Sequence, residues 1–117
     1  MKEGNVVQVK SYAFSLHVVR LFQNKSEEKK NRNIFDQLFR SGTSIGANVE
    51  EAIGAQSRRD FYAKLNIAYK EARETHFWLR LLKDSGYLEQ NIAQTLLDEC
   101  TELLRIIGSI LKTLRST

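Results

Sequence analysis

Apolar residues recur at alternating spacings of three and four along most of this chain, the pattern that places them on one face of an α-helix. The chain has no proline and only six glycines among its 117 residues. A β-rich fold of this length needs many tight turns, and such turns depend on glycine and proline. The periodicity and the composition therefore predict one all-α domain made of a few long helices.

Polar breaks divide the periodic pattern into four helices. The predicted ranges are 11–24, 33–53, 57–85 and 89–114. Ser57 and Asp60 form an approximate capping box at the start of the third helix, and Gly86 is its natural C-cap. Residues 1–10 are predicted to form an N-terminal arm ahead of a four-helix bundle domain at 11–117. Short links after the second and third helices force neighbours antiparallel, so the predicted fold is an up-down-up-down antiparallel four-helix bundle.

Two glycines lie within the apolar seam of the second helix. That seam consists of Phe35, Leu38, Gly42, Ile45, Val49 and Ala52. Gly42 and Gly46 each cost about 1 kcal/mol relative to alanine in a helix interior. Two unfavourable glycines on one face need a structural reason. We expect either a close approach of another helix at these positions or a local break between Ser41 and Gly46.

The fourth helix is apolar over more than half of its circumference, which is wider than one bundle core requires. Its first seam is Leu96, Cys100, Leu103, Ile107, Ile110 and Leu114, and its second is Leu97, Leu104 and Leu111. Three more apolar side chains flank the core seam of the third helix: Phe77, Trp78 and Leu81. The excess apolar surface indicates either self-association or a fourth helix buried more deeply within one subunit.

The apolar runs and the single cysteine favour a cytoplasmic protein with no membrane association, and the net charge bears on its partners. The formal net charge is +4 and the sequence pI is about 9.3, which is compatible with a polyanionic partner. No apolar run reaches the roughly 18 residues of a membrane-spanning helix, and no signal peptide is recognisable. The single cysteine, Cys100, cannot form an internal disulfide, so a reducing compartment is expected.

The sequence contains no recognisable catalytic or metal-binding constellation. A zinc site needs about four cysteine or histidine ligands, and this chain has one cysteine and two distant histidines, His17 and His76. Neither histidine follows a glutamate by three positions, as in di-iron bundles. The glycines form no phosphate-binding loop. We therefore expect a protein that is not an enzyme and that uses no cofactor or metal.

A polar, mostly basic stripe follows the third helix at spacings of three and four. Its members are Asn66, Tyr69, Arg73, His76, Arg80 and Lys83. The neighbouring carboxylates, Glu71 and Glu74, are predicted to point elsewhere. One interpretation is the solvated side of an amphipathic helix. The other is a surface that follows nucleic-acid phosphates and stacks on bases, with Arg73, Arg80, Lys83, Tyr69 and His76 as the binding residues.

Four segments make the chain similar to a known family. They are Ser44-Ile45-Gly46-Ala47-Asn48-Val49-Glu50-Glu51, Ser57-Arg58-Arg59-Asp60-Phe61, Leu65-Asn66-Ile67-Ala68 and Gly86-Tyr87-Leu88. From Tyr12 onward the chain resembles the bacterial four-helix bundle proteins encoded in intervening sequences of 23S ribosomal RNA genes, although Gly46 stands where the family often has proline. The resemblance implies ring-shaped homopentamers. A related branch, the accessory proteins of diversity-generating retroelements, contacts a reverse transcriptase and RNA.

Five residues match the motif of that family: Asn48, Glu51, Ser57, Arg58 and Phe61. Asn48 and Glu51 share one helical face, and Arg58 or Arg59 follows just across the turn. We expect an ion pair between Glu51 and one of these arginines to lock the hairpin, which is a structural role rather than ligand binding. On that hypothesis Glu51→Ala costs roughly 1–3 kcal/mol.

Three functional hypotheses follow from these observations. The leading one is a non-enzymatic homo-oligomeric bundle that associates with the backbone of RNA or DNA through its basic surface. The alternative is a protein-interaction scaffold that docks a partner enzyme, with the basic charge serving solubility. The third is a helical nuclease that uses His76.

Overall fold

The computed structural model describes residues 2–25 and 32–116 of the chain. They form four α-helices: α1 (Lys2–Lys25), α2 (Arg32–Ile53), α3 (Arg58–Asp84) and α4 (Gln90–Arg115). Each helix packs on its neighbours in chain order, and α4 closes the bundle against α1. In the described residues, the Cα atoms of the diagonal helices, α1 with α3 and α2 with α4, do not approach within 8 Å of each other. The result is an elongated up-and-down four-helix bundle of 46 × 21 × 20 Å, which confirms the predicted fold class.

The first helix begins at Lys2 rather than at Ser11, so the extended arm predicted for residues 1–10 is wrong over residues 2–10. Val7 is completely buried and lies on the same face as Phe14 and Val18. The apolar periodicity therefore continues about two turns N-terminal of Phe14, to Val7. Ser11 is a buried residue within this helix, where its hydroxyl donates to the Gln8 carbonyl. The polar connection predicted at 24–33 falls largely on residues 26–31, outside the described residues.

Close packing of α1 on α2 explains the two glycines in the α2 seam. The helix runs unbroken through this region, so the predicted alternative of a local break is wrong. A Cβ atom added at Gly46 would lie 2.7 Å from the Ser15 Oγ and 3.2 Å from the Ser11 carbonyl oxygen. At Gly42 it would lie 3.1 Å from a Val18 methyl group. The glycines are present because α1 occupies the space of their missing side chains.

The ends of α3 follow the predicted capping signals. The Ser57 hydroxyl accepts a hydrogen bond of 3.0 Å from the Asp60 backbone N–H, as a capping box requires. At the other end Gly86 adopts a φ of +79°, in the left-handed region that ends helices without strain only at glycine. These two signals bound a helix of 27 residues, close to the predicted range.

The wide apolar surface of α4 is used mostly inside the subunit. Its first seam is buried except at Leu114, and in the second seam Leu97 and Leu111 are only 7% and 2% exposed. Leu104 is half-buried. Since α4 packs on both α1 and α3, two adjacent seams are needed to face two neighbours. Deeper burial, rather than self-association, accounts for this part of the pattern. None of the helices in the described part of the chain has an apolar stretch that could cross a membrane.

Candidate nucleic-acid interface

The basic stripe of α3 lies beside α4, and four of its members line one open cavity. Tyr69, Arg73, His76 and Arg80 surround about 300 Å³, together with Phe77 of α3 and Leu104 of α4. The spacing of three and four places the four side chains on one flank of α3, and the packing of α4 supplies the opposite wall. The sequence predicted these four residues but not the two apolar ones, which belong to other seams.

Tyr69 is held against α4 by a glycine. The ring is half-buried, and a Cβ atom added at Gly108 would lie 3.3 Å from the Tyr69 Cε1. The absence of a side chain at Gly108 therefore lets the ring lie close to the α4 backbone. This contact gives the cavity a firm aromatic edge, and nothing local in the sequence links positions 69 and 108.

Lys83, the fifth predicted binding residue, is not among the residues that line the cavity. Its ammonium group donates a hydrogen bond of 2.6 Å to the Gln94 side-chain oxygen, where the C-terminal end of α3 meets the N-terminal end of α4. Gln94 in turn donates to the Asp98 carboxylate at 2.8 Å. Lys83 thus serves to link two helices, and one carboxylate lies near this end of the stripe.

The two carboxylates of α3 nearest the stripe point away from it, as predicted, and they lie toward α2. Arg40 pairs with Glu71 at 3.1 Å and also with Glu74. The Trp78 indole N–H donates to Glu74 at 2.9 Å. This hydrogen bond, with the charge of Arg40, holds the pKa of Glu74 below its usual value. The carboxylate therefore stays ionised and remains bound to Trp78 and Arg40. No acid therefore lines the cavity.

The charges of the cavity come from Arg73 and Arg80. Both side chains are exposed, and neither forms an ion pair with any residue in the described ranges. Burial, with a smaller effect of nearby Arg80, lowers the pKa of His76. At neutral pH His76 is therefore an uncharged ring. The cavity presents two free guanidinium groups beside three aromatic or heteroaromatic rings.

The motif residues near the turn between α2 and α3 have local structural roles, except Glu51. Ser57 caps α3, Phe61 packs partly on the core, and the Asn48 amide donates to the Ser44 carbonyl at 2.8 Å. Arg58 reaches α4, where it donates to the Leu114 carbonyl at 3.3 Å.

Glu51 is exposed and pairs with no residue of the described chain, so the predicted ion pair with Arg58 or Arg59 is absent. The residues that would form it diverge because Arg58 turns toward the C-terminal end of α4. Because this ion pair is absent, it contributes no stability that Glu51→Ala could remove.

The remaining reactive side chains are engaged in helix packing. His17 on α1 contacts Glu99 on α4, with 2.7 Å between Nδ1 and Oε2. The Cys100 thiol is buried and donates to the Ala72 carbonyl at 3.3 Å. Over the described ranges, no three His, Cys, Asp or Glu side chains are grouped closely enough to hold a metal ion.

Comparison with known proteins identifies the family of the chain. Residues 3–109 match the family model described as 23S rRNA-intervening sequence protein. A crystal structure at 1.70 Å of a protein of unknown function from the S23 ribosomal protein family of Bacteroides thetaiotaomicron is similar, with a TM-score of 0.88 and 44% sequence identity. The similarity covers 94% of this chain and 98% of that one. Among curated proteins, none matches the sequence. The chain therefore belongs to the family of 23S rRNA-intervening sequence proteins.

Proposed function

We propose that the protein is a non-enzymatic bundle that associates with the phosphate backbone of RNA or DNA and works as a homo-oligomer. One observation carries the proposal. Arg73 and Arg80 lie unpaired in one cavity with Tyr69 and His76, while the nearby acids Glu71 and Glu74 are bound elsewhere. A solvated helix face would ordinarily mix both signs of charge, and this cavity has no acidic lining residue.

The side chains of the cavity suit a ligand that combines phosphates with planar rings. A guanidinium group binds phosphate oxygens through two parallel hydrogen bonds. Aromatic rings stack on bases of any identity, which favours binding without strong sequence preference. Two free arginines per subunit bind only weakly, but a ring of subunits multiplies the contacts on one strand.

Reversing the two charges tests this function. In the Arg73→Glu/Arg80→Glu variant we expect binding to RNA and DNA to weaken roughly tenfold or more at low salt, because two phosphate contacts per subunit are replaced by repulsion. The slope of log affinity against log salt on duplex DNA should flatten by about 0.9 for each lost contact. Fluorescence anisotropy over a salt series measures both quantities.

The matched control is Arg20→Glu/Arg32→Glu, which makes the same change in net charge at exposed positions of α1 and α2. It should bind nearly as well as the wild type. If the wild type shows no salt-dependent binding, or if the cavity variant binds as well as the control, the scaffold hypothesis is preferred. RNA cleavage that is lost in His76→Ala would instead support the nuclease hypothesis.

Exposed apolar side chains on opposite corners of the bundle support self-association. On α1, Val9 and Tyr12 are 68% and 66% exposed; on α3, Phe77 and Leu81 are 51% and 40% exposed. The helices α1 and α3 are diagonal in the bundle, so the two patches face different directions. Two distinct patches allow each copy to bind two neighbouring copies, and such head-to-tail contacts form a ring when the rotation between successive copies closes. We therefore propose that a second copy of the chain covers Val9 and Tyr12 at one contact and Leu81 at the other, with Phe77 at the edge of the second contact, where it also borders the open cavity.

The mass of the particle in solution tests this assembly. Light scattering should give a mass several times 13.5 kDa, and the resemblance to the family implies five subunits. Tyr12→Glu should shift the protein toward the monomer, because it places a charge in an apolar contact. Tyr87→Glu, at an exposed aromatic residue outside both patches, should leave the mass unchanged. A strictly monomeric wild type at micromolar concentration would refute the assembly.

A further inference from the structure

We infer that a second nucleic-acid subsite lies at the end of the bundle where α3 begins and α4 ends, and that the ligand of the joined subsites is a single strand. The inference rests on the proposed function and extends it. A cavity of about 470 Å³ is lined there by Arg58, Arg59, Tyr62 and Leu114. Arg115 approaches the same place, because it donates to the Tyr62 hydroxyl at 3.4 Å. Three guanidinium groups therefore surround one tyrosine.

The three arginines differ in how firmly they are held. Arg58 donates to the Leu114 carbonyl at 3.3 Å, and Arg115 is directed by the Tyr62 hydroxyl. Arg59 is exposed and pairs with no acid in the described part of the chain. None of the residues that line this cavity is acidic. The two anchored side chains fix the position of positive charge, and Arg59 is free to bind an incoming phosphate.

The second cavity repeats the chemistry of the first. Each contains a tyrosine of α3, at least two arginines and a leucine of α4, which is Leu104 in the first cavity and Leu114 in the second. Tyr62 and Tyr69 are two helical turns apart on the flank that faces α4, or roughly 10 Å along the axis at 1.5 Å per residue. The two cavities thus lie in line along one groove between α3 and α4.

The shape of the groove favours a single strand over a duplex. Its tyrosines lie between helices and are half-buried, so a base must leave its own stack to reach them. In a duplex the bases are paired and stacked, so only its phosphates would reach the protein, at the exposed arginines along the groove. From Arg59 to Arg80 the groove extends roughly 32 Å at 1.5 Å per residue, enough for a site of at least about four nucleotides.

Binding of fluorescein-labelled 12-mers tests the second subsite. The ligands are oligo(rU), oligo(dT) and a 12-base-pair DNA duplex, each measured by anisotropy at low salt. We expect Arg59→Glu/Arg115→Glu to weaken binding of the single strands roughly tenfold, because two phosphate contacts become repulsive. Arg20→Glu/Arg32→Glu, with the same net charge, should bind within about twofold of the wild type. Unchanged helicity and unchanged particle mass show that the variants keep their fold.

The possible outcomes separate this inference from the proposed function. If the wild type binds no nucleic acid, both fail. If binding is lost in Arg73→Glu/Arg80→Glu but kept in Arg59→Glu/Arg115→Glu, the proposed function stands and the second subsite is refuted. If the duplex binds as tightly as either oligonucleotide, the single-strand assignment is refuted. A preference for oligo(rU) over oligo(dT) would identify RNA as the ligand, and the reverse preference would identify DNA.

Discussion

Gly46→Val should destabilise the bundle by roughly 3 kcal/mol, the upper part of the usual range for overpacking a helix contact. The physical reason is that a Cβ atom at position 46 would lie 2.7 Å from the Ser15 Oγ. The Ser15 hydroxyl can rotate away, but the Ser11 carbonyl oxygen, at 3.2 Å, belongs to the α1 backbone. The valine methyl groups would therefore force α1 and α2 apart, and part of the core packing between them would be lost.

Replacement by alanine at the same position separates this effect from helix propensity. Alanine is about 1 kcal/mol better than glycine in a helix interior, so propensity alone predicts a gain. We expect Gly46→Ala to lose about 1–2 kcal/mol instead, because the added Cβ atom already clashes with α1. Urea unfolding followed by circular dichroism gives these differences directly.

Gly54 provides the matched control. It follows the end of α2, and a Cβ atom there would meet only the Glu50 and Glu51 carbonyls at 3.7 and 3.9 Å, which is ordinary contact. Gly54→Ala should change the free energy of unfolding by no more than about 0.5 kcal/mol. If Gly46→Val is as stable as the wild type, α1 and α2 do not approach each other as closely as the structure has them.

The second large effect concerns the buried thiol of Cys100. Burial raises the pKa of Cys100 to about 12, whereas an unfolded cysteine has a pKa of about 8.5. Between these values the unfolded chain has lost the thiol proton and the native protein has kept it. The unfolded state then binds fewer protons, so the free energy of unfolding falls as the pH rises, by about 1.4 kcal/mol per pH unit. Below about pH 8.5 this contribution is constant.

Cys100→Ser isolates the effect of the thiol from that of lysines and tyrosines. Serine keeps a donor for the Ala72 carbonyl, which Cys100 contacts at 3.3 Å, but it does not ionise in this range. Between pH 8 and pH 10.5, under reducing conditions, the wild type should lose about 2–3 kcal/mol more unfolding free energy than the variant. Parallel pH profiles for the two proteins would mean that the thiol ionises in the native state and is not buried as described.

Much of the fold was predictable because helical periodicity is a local property. The α2 seam from Phe35 to Ala52 is buried as predicted, and the ends of α2, α3 and α4 lie within one residue of their predicted positions. The start of α1 was missed because Val6, Val7 and Val9 form a β-branched cluster that obscures its period. Only Val7 of these three faces the core.

The candidate site was predictable in part, for the same reason. Tyr69, Arg73, His76 and Arg80 share a flank of α3 because their spacing is helical, and the cavity brings them together. Lys83 fits the same spacing, yet Gln94 of the neighbouring helix binds it. Spacing specifies the direction in which a side chain leaves its own helix, and the neighbouring helix determines whether that side chain is free.

The helices, their order and the face that each turns to the core depend on residues within a few turns of one another, so the periodic pattern alone is enough to specify them. Which polar and apolar surfaces remain unpartnered depends on how the helices pack against one another. Arg40 pairs with Glu71 and Glu74, more than 30 positions away, and so leaves the cavity free of acids. The second seam of α4 is buried because that helix has two neighbours. Such contacts join distant positions, and no local pattern encodes them.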